Sequence, residues 1–312
     1  NNSNFKSYSG LILVIIVVSV FMSIRSENFM TPTNILNVLR QISVYGILAC
    51  GMAFAMMTGG IDLTVGSTAG VCGALVTKFV VEGNMPLVPA ILIGLLVGAL
   101  LGLLSGIFIA KTGIPPFIMT LGMQITLRGA CYLICEGKPI GNIPDSMLQL
   151  GIGSLGGIPI PIFFMLGTFV VVGIILSRTS FGRSVYAVGG NEKATKLSGI
   201  NTDKIYFIAY ANMGLLAGLC GLLNAARVGS VNGSTGTSFE MDAIGACFIG
   251  GASAYGGSGT VGGVVIGALL LGVINMGMSI LGIGDSWQYV VKGGVLLVAV
   301  IFDVVTSRKS GK

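Results

Sequence analysis

Long apolar runs alternate with short polar or glycine-rich breaks along nearly the whole chain. Ten runs stand out, at about 10–25, 41–58, 64–82, 86–110, 115–134, 161–177, 204–226, 241–255, 260–281 and 288–306. They are continuously apolar rather than alternating, so they predict helices and not the ~10-residue alternating strands of a membrane barrel. A straight span needs ~20 apolar residues, and several runs are shorter, so broken or tilted helices are expected. The pattern predicts an all-α, polytopic membrane protein of about ten transmembrane helices in one domain over 1–312. The first run lacks an A-x-A cleavage site and reads as a retained span.

Composition agrees with this. The 312 residues are 53% hydrophobic and only 9% charged, against about 25% charged in a soluble domain. Glycine occurs 50 times. Small residues let membrane helices approach closely. Gly94, Gly98, Gly102 and Gly106 make successive GxxxG steps, and Gly214/Gly218 and Gly263/Gly267 add more. Close helix packing is the expectation, with pore lining the alternative.

The net charge of +6 reads as topology rather than nucleic-acid binding, because no basic run exceeds "SRK". With a cytoplasmic N-terminus, the inner segments carry Lys6, Lys111, Arg178, Arg183, Lys193, Lys196, Lys204, Arg308, Lys309 and Lys312. The outer segments carry only Arg25, Arg40, Lys78, Lys138 and Arg227. That bias places both termini in the cytoplasm. The most charged loop, about 178–204, is then cytoplasmic, and the longest external loop covers about 135–160. Arg128 and Lys292 remain inside spans.

Several activities are excluded. Histidine is absent, which removes His triads, His metal sites and His proton relays. The six cysteines form no CxxC and read as small packing residues. "GSGTVG" at 257–262 joins two apolar runs and lacks the strand that a dinucleotide fold requires. "GIGD" at 282–285 reads as a turn, with Asp62 the only loose candidate for a second protease aspartate. No GxxxxGK[ST] occurs, so any ATP hydrolysis belongs to another polypeptide. No cofactor is implied.

Three features carry functional candidates. "GGNEKATKLSGI" at 189–200 predicts a short helix over 192–198, with Asn191 as N-cap, Glu192 in the first turn and Gly199 as the C′ residue. Leu197 is its apolar knob, and either a solvated connection or docking to another protein fits. "GTSFEMDAIGA" at 236–246 has Thr237 and Glu240 at capping-box spacing. Polar residues within spans are candidates by default: Gln124, Arg128, Asn212, Asn224, Asn275, Gln288 and Lys292. In "MMTGGIDLTVGS", 56–67, Gly59 and Gly60 supply a break, and Asp62 is placed to cap a helix starting near Leu63.

These motifs, in their order, resemble the permease subunits of bacterial ATP-binding-cassette monosaccharide importers, the ribose/galactose/xylose group. The matching stretches are "GGIDLTVGS", "FIMTLGMQITLRG", "FGRSVYAVGGNEKATKLSGIN", "FEMDAIGACFIGGASAYGGSGTVGGVVIGALLLGVIN" and "WQYVVKGGVLLVAVIFD". "GVINMGMSILGIGDSWQYVVKG" looks somewhat more like the methylgalactoside permease than the ribose one. The resemblance implies a bacterial inner-membrane protein that is not itself an enzyme. Its implied partners are a second permease subunit as a homodimer, a cytoplasmic ABC ATPase, an extracytoplasmic sugar-binding protein and membrane lipid. A monosaccharide is the implied substrate. Gly189, Gly190, Asn191, Glu192, Ala194, Thr195, Leu197, Ser198, Gly199 and Ile200 become the ATPase-coupling element. Asp62, Thr64, Ser67, Phe117, Gln124, Asn212, Asn224, Asp242 and Asn275 become candidates for the translocation path. The alternatives are a relative carrying autoinducer-2, a nucleoside or a branched-chain amino acid, and an ion-coupled secondary transporter.

Overall fold

The computed structural model describes residues 2–309. In chain order it contains α1 (Asn2–Arg25), α2 (Pro32–Met57), α3 (Val65–Val81), α4 (Leu87–Thr112), α5 (Pro116–Ile134) and α6 (Asp145–Ile152). A two-stranded hairpin follows, β1 (Ser154–Leu155) and β2 (Ile158–Pro159). Then come α7 (Ile160–Arg178), α8 (Ser180–Gly190), α9 (Glu192–Leu197), α10 (Thr202–Val228), α11 (Phe239–Ile249), α12 (Val261–Ile280) and α13 (Asp285–Lys309). Among the described residues, six helices are long and apolar enough to cross a membrane: α2, α4, α5, α7, α10 and α12. The protein is all-helical and polytopic.

α2 and α10 form the centre. Residues from Ile47 to Met57 on α2 and Tyr210, Met213 and Leu223 on α10 are wholly buried. The expected glycine packing holds. Gly94, Gly98, Gly102 and Gly106 all lie on the buried face of α4. A Cβ at Gly98 would collide with Gly214 O, one at Gly102 with Tyr210 O, and one at Gly214 with Gly98 O. The α4 and α10 backbones therefore touch with no side chain between them. Gly263 and Gly267 do the same for α12 against Gly250 and Ala246 of α11.

Several sequence expectations need correction. The run at 241–255 is a helix only to Ile249; beyond it Gly251, Gly256, Gly257 and Gly259 adopt positive φ, which no helix tolerates. The loop at 178–204 holds a second helix, α8, capped by the Thr179 hydroxyl accepting from Gly182 N–H at 3.1 Å. Its apolar stripe, Phe181, Val185 and Val188, faces the core. α3 starts at Val65, two residues past Leu63. The capping box does not form: Ser238, at φ 68°, takes the cap position of α11, and the Thr237 hydroxyl donates to Ser234 O at 2.6 Å.

Candidate functional site

Two breaks interrupt the bundle, one at the start of α3 and one at the end of α10. The first, 58–64, joins α2 to α3. Asp62 is fully buried (0% exposed). Its Oδ1 accepts from Thr64 N–H at 2.8 Å and Thr64 Oγ1–H at 2.6 Å. This Asx turn lays the chain into α3 instead of capping its first turn directly. Among the described residues, Asp62 Oδ2 and the buried Tyr210 hydroxyl have no hydrogen-bond partner. Ser67 donates to Thr64 O at 2.9 Å.

The second break, 229–238, folds back along α3, and we call it the re-entrant segment. Val231 pairs with Ile140 beyond the C-terminal end of α5. From there the chain runs along α3, so that a Cβ at Gly70 would meet Thr235 O and one at Gly66 would meet Gly236 O. It thereby descends from the Lys78 end of α3 toward its first turn. The Arg128 guanidinium, from α5, holds it by donating to Gly233 O at 3.2 Å and Thr235 O at 2.5 Å. The Asn232 side chain closes a turn by accepting from Ser234 N–H and Oγ–H. Asn232, Ser234 and Thr237 are exposed while Gly233 and Gly236 are buried. Non-helical backbone at membrane depth survives only inside protein or along a water-filled cavity, which makes these exposed polar groups candidates for lining a path. Sequence reasoning missed this segment; its signal was "VNGSTGTS", a hydroxyl- and amide-rich run between two apolar stretches.

The path candidates do not gather in one place. Asp62, Thr64 and Ser67 form the first break and are buried. Gln124 Nε2 donates to Glu240 Oε1 at 3.0 Å, tying α5 to α11. Phe117 lies on the exposed face of α5 with Ile118, Leu121 and Ile125. Asn212 donates to Ile208 O of its own helix at 2.9 Å and lines an apolar groove of ~450 Å³ between α7 and α10. Asn224 is buried in α10. Asp242 and Asn275 are bound to each other, Nδ2–H to Oδ1 at 3.2 Å. Lys292 of α13 completes that cluster, its ammonium 3.0 Å from Asp242 Oδ2.

The coupling candidates do gather. α9 spans Glu192–Leu197, and Asn191 caps it by accepting from Ala194 N–H at 2.9 Å. Gly199 sits at φ 82°. The Tyr206 hydroxyl of α10 donates to Glu192 Oε2 at 3.2 Å, and Thr195 is buried beneath the helix. Leu197 is 90% exposed. α9 is thus a capped, anchored helix that presents one apolar side chain outward.

A family described as "Branched-chain amino acid transport system / permease component" matches residues 34–300. The chain belongs to this permease family. It is 40% identical over 298 residues to the ribose import permease protein of Bacillus subtilis, covering 95% of this chain and 91% of that one. It is 34% identical to the xylose transport system permease protein of Haemophilus influenzae, covering 98% of each. It is 36% identical to the L-arabinose transport system permease protein of Escherichia coli, covering 94% of this chain and 89% of that one. No solved structure matches. The permease is a multi-pass protein of the bacterial inner membrane, the membrane component of an ATP-binding-cassette sugar importer, and is not itself catalytic. The leaning toward the methylgalactoside permease is not supported, because these relatives are ribose, xylose and arabinose permeases.

Proposed function

We propose that this permease translocates one monosaccharide, delivered by an extracytoplasmic binding protein, along the water-facing surface of segment 229–238. The observation that carries this reading is the chemistry of that surface. Asn232, Ser234 and Thr237 offer neutral donors and acceptors, which suit a polyhydroxylated solute. Glu240 and Asp242, the nearest carboxylates in sequence, are buried and engaged by Gln124 and Lys292. Pentoses are the first substrates to test, given the sugars named for the relatives.

In the same reading the ten apolar segments are α1–α5, α7 and α10–α13, with both termini cytoplasmic. α9 docks on the ATPase through Leu197. The open face of α5, where Gly122 and Gly129 have no neighbour within 4 Å, seats a second copy of the chain across the path. ATP binding closes the ATPase domains, α9 moves with them, and the bundle alternates between its two openings.

The test is pentose uptake by the assembled transporter in proteoliposomes. Thr237→Val with Asn232→Ala is expected to lower uptake while ATP hydrolysis persists, and Leu197→Asp to abolish uptake with membrane insertion intact. Normal uptake by the first variant would remove this surface from the path. Normal uptake by the second would remove α9 from coupling.

A further inference from the structure

Two loops and the C-terminal turn of α8 (Ser180–Gly190) meet at one point beside α9, and they meet through backbone alone. Gly59 belongs to the α2–α3 break, Gly189 to the last turn of α8 that leads into α9, and Gly256 and Gly257 to the α11–α12 loop. A Cβ on Gly256 would lie 2.6 Å from both N and Cα of Gly59 and 3.0 Å from Gly189 Cα. One on Gly257 would lie 2.8 Å from N and Cα of Gly190. One on Gly189 would collide with Met57 O. Gly257 N–H donates to Met57 O at 3.1 Å. Just outside, the Tyr186 hydroxyl of α8 donates to Gly259 O at 3.0 Å. Gly59, Gly256 and Gly257 all have positive φ, so the contact demands glycine for conformation as well as for space.

Accepting α9 as the ATPase-docking helix, we propose that this glycine junction is the transmission point of the transporter. Movement of α9 enters the α2–α3 break and the α11–α12 loop directly, backbone against backbone. Side chains would absorb a small displacement by changing rotamer. Main chain in van der Waals contact has no such slack, so a shift at Gly189 displaces Gly59 and Gly256 together. Three residues beyond Gly59 lies Asp62, whose Asx turn sets the start of α3. Gly250 at the head of the other loop packs on Gly263 of α12. The junction therefore reaches the start of α3 and the packing of α11 on α12, the helices at the two sides of segment 229–238.

Gly256→Ala lies outside the docking surface and tests this. In the assembled transporter it is expected to keep ATPase binding and ATP hydrolysis while sugar moved per ATP falls about tenfold. Gly173→Ala, at a position with nothing within 4 Å, is the control. Gly59→Ala is the milder variant, its Cβ meeting only Tyr255 O at 3.3 Å among close atoms, and should show the same uncoupling. Wild-type transport per ATP in Gly59→Ala or Gly256→Ala would overturn the proposal. Hydrogen exchange on the unmodified transporter gives a readout independent of folding. Adding a non-hydrolysable ATP analogue should change exchange at 192–198, 57–60 and 253–259 together. A change confined to 192–198 overturns the junction alone. No change at 192–198 overturns the docking role of α9, and the junction with it.

Discussion

The Lys292 ammonium on α13 lies 3.0 Å from Asp242 Oδ2 on α11, inside the bundle. Asn275 of α12 donates to the other carboxylate oxygen at 3.2 Å, and the Tyr45 ring of α2 faces the ammonium at 5.9 Å. Four helices thus converge on one ion pair. A buried pair contributes little net stability compared with an apolar replacement, but removing one partner strands the other charge. Asp242→Ala is therefore expected to destabilise the permease by about 3 kcal/mol. Asp242→Ala with Lys292→Met should recover most of that loss. Thermal unfolding of the four proteins of this cycle in detergent checks it; a double-variant loss equal to the sum of the two single losses would show that no pairing energy is involved.

Arg128 holds two carbonyls of the re-entrant segment with one guanidinium. Arg128→Ala is expected to cost about 2 kcal/mol, the scale of charged hydrogen bonds, and to release residues 232–238. Faster amide exchange there, with α4 and α10 unchanged, is the signature. Arg128→Lys should rescue only in part, because a single ammonium lacks the fork that spans both acceptors.

Gly102→Ala should destabilise by about 1–3 kcal/mol, because its methyl enters Tyr210 O and neither backbone can yield. Gly173→Ala, with open space around it, should unfold like the parent protein. Thermal shift comparison of the two variants suffices.

Glu136, just past α5, accepts from Lys78 Nζ at 2.7 Å. That hydrogen bond holds its carboxyl below the usual carboxylate range. Its stabilisation is present above the ordinary carboxylate pKa and is lost as pH falls through the lowered value. Unfolding of wild type and Glu136→Gln should therefore differ slightly near neutral pH and converge in acid. A difference that grows on acidification would contradict the pairing.

Local signals were the legible ones. α9 could be read from Asn191 and Gly199 because a cap acts within four residues, and both residues do what their chemistry predicts. The α4 glycines could be read because their period of four is the period of a helix face. Long-range pairing could not: nothing near Lys292 in sequence announces Asp242, 50 residues away. α8 was hidden because a surface helix with a narrow apolar stripe looks like a charged loop until Phe181, Val185 and Val188 are counted at helical spacing. The end of α11 was misplaced because Ala252, Ala254 and Tyr255 keep the run apolar while the glycines around them turn the backbone. The re-entrant segment escaped because polarity in a membrane sequence suggests an external loop, and here Arg128 draws it inward.

α11 has 11 residues, so it extends only about 16 Å, roughly half of a ~30 Å hydrocarbon layer. Under the proposed path, loops rather than helix must close the remaining depth, and the contact of Gly66 with Gly236, main chain pressed on main chain, would then serve as the ion seal.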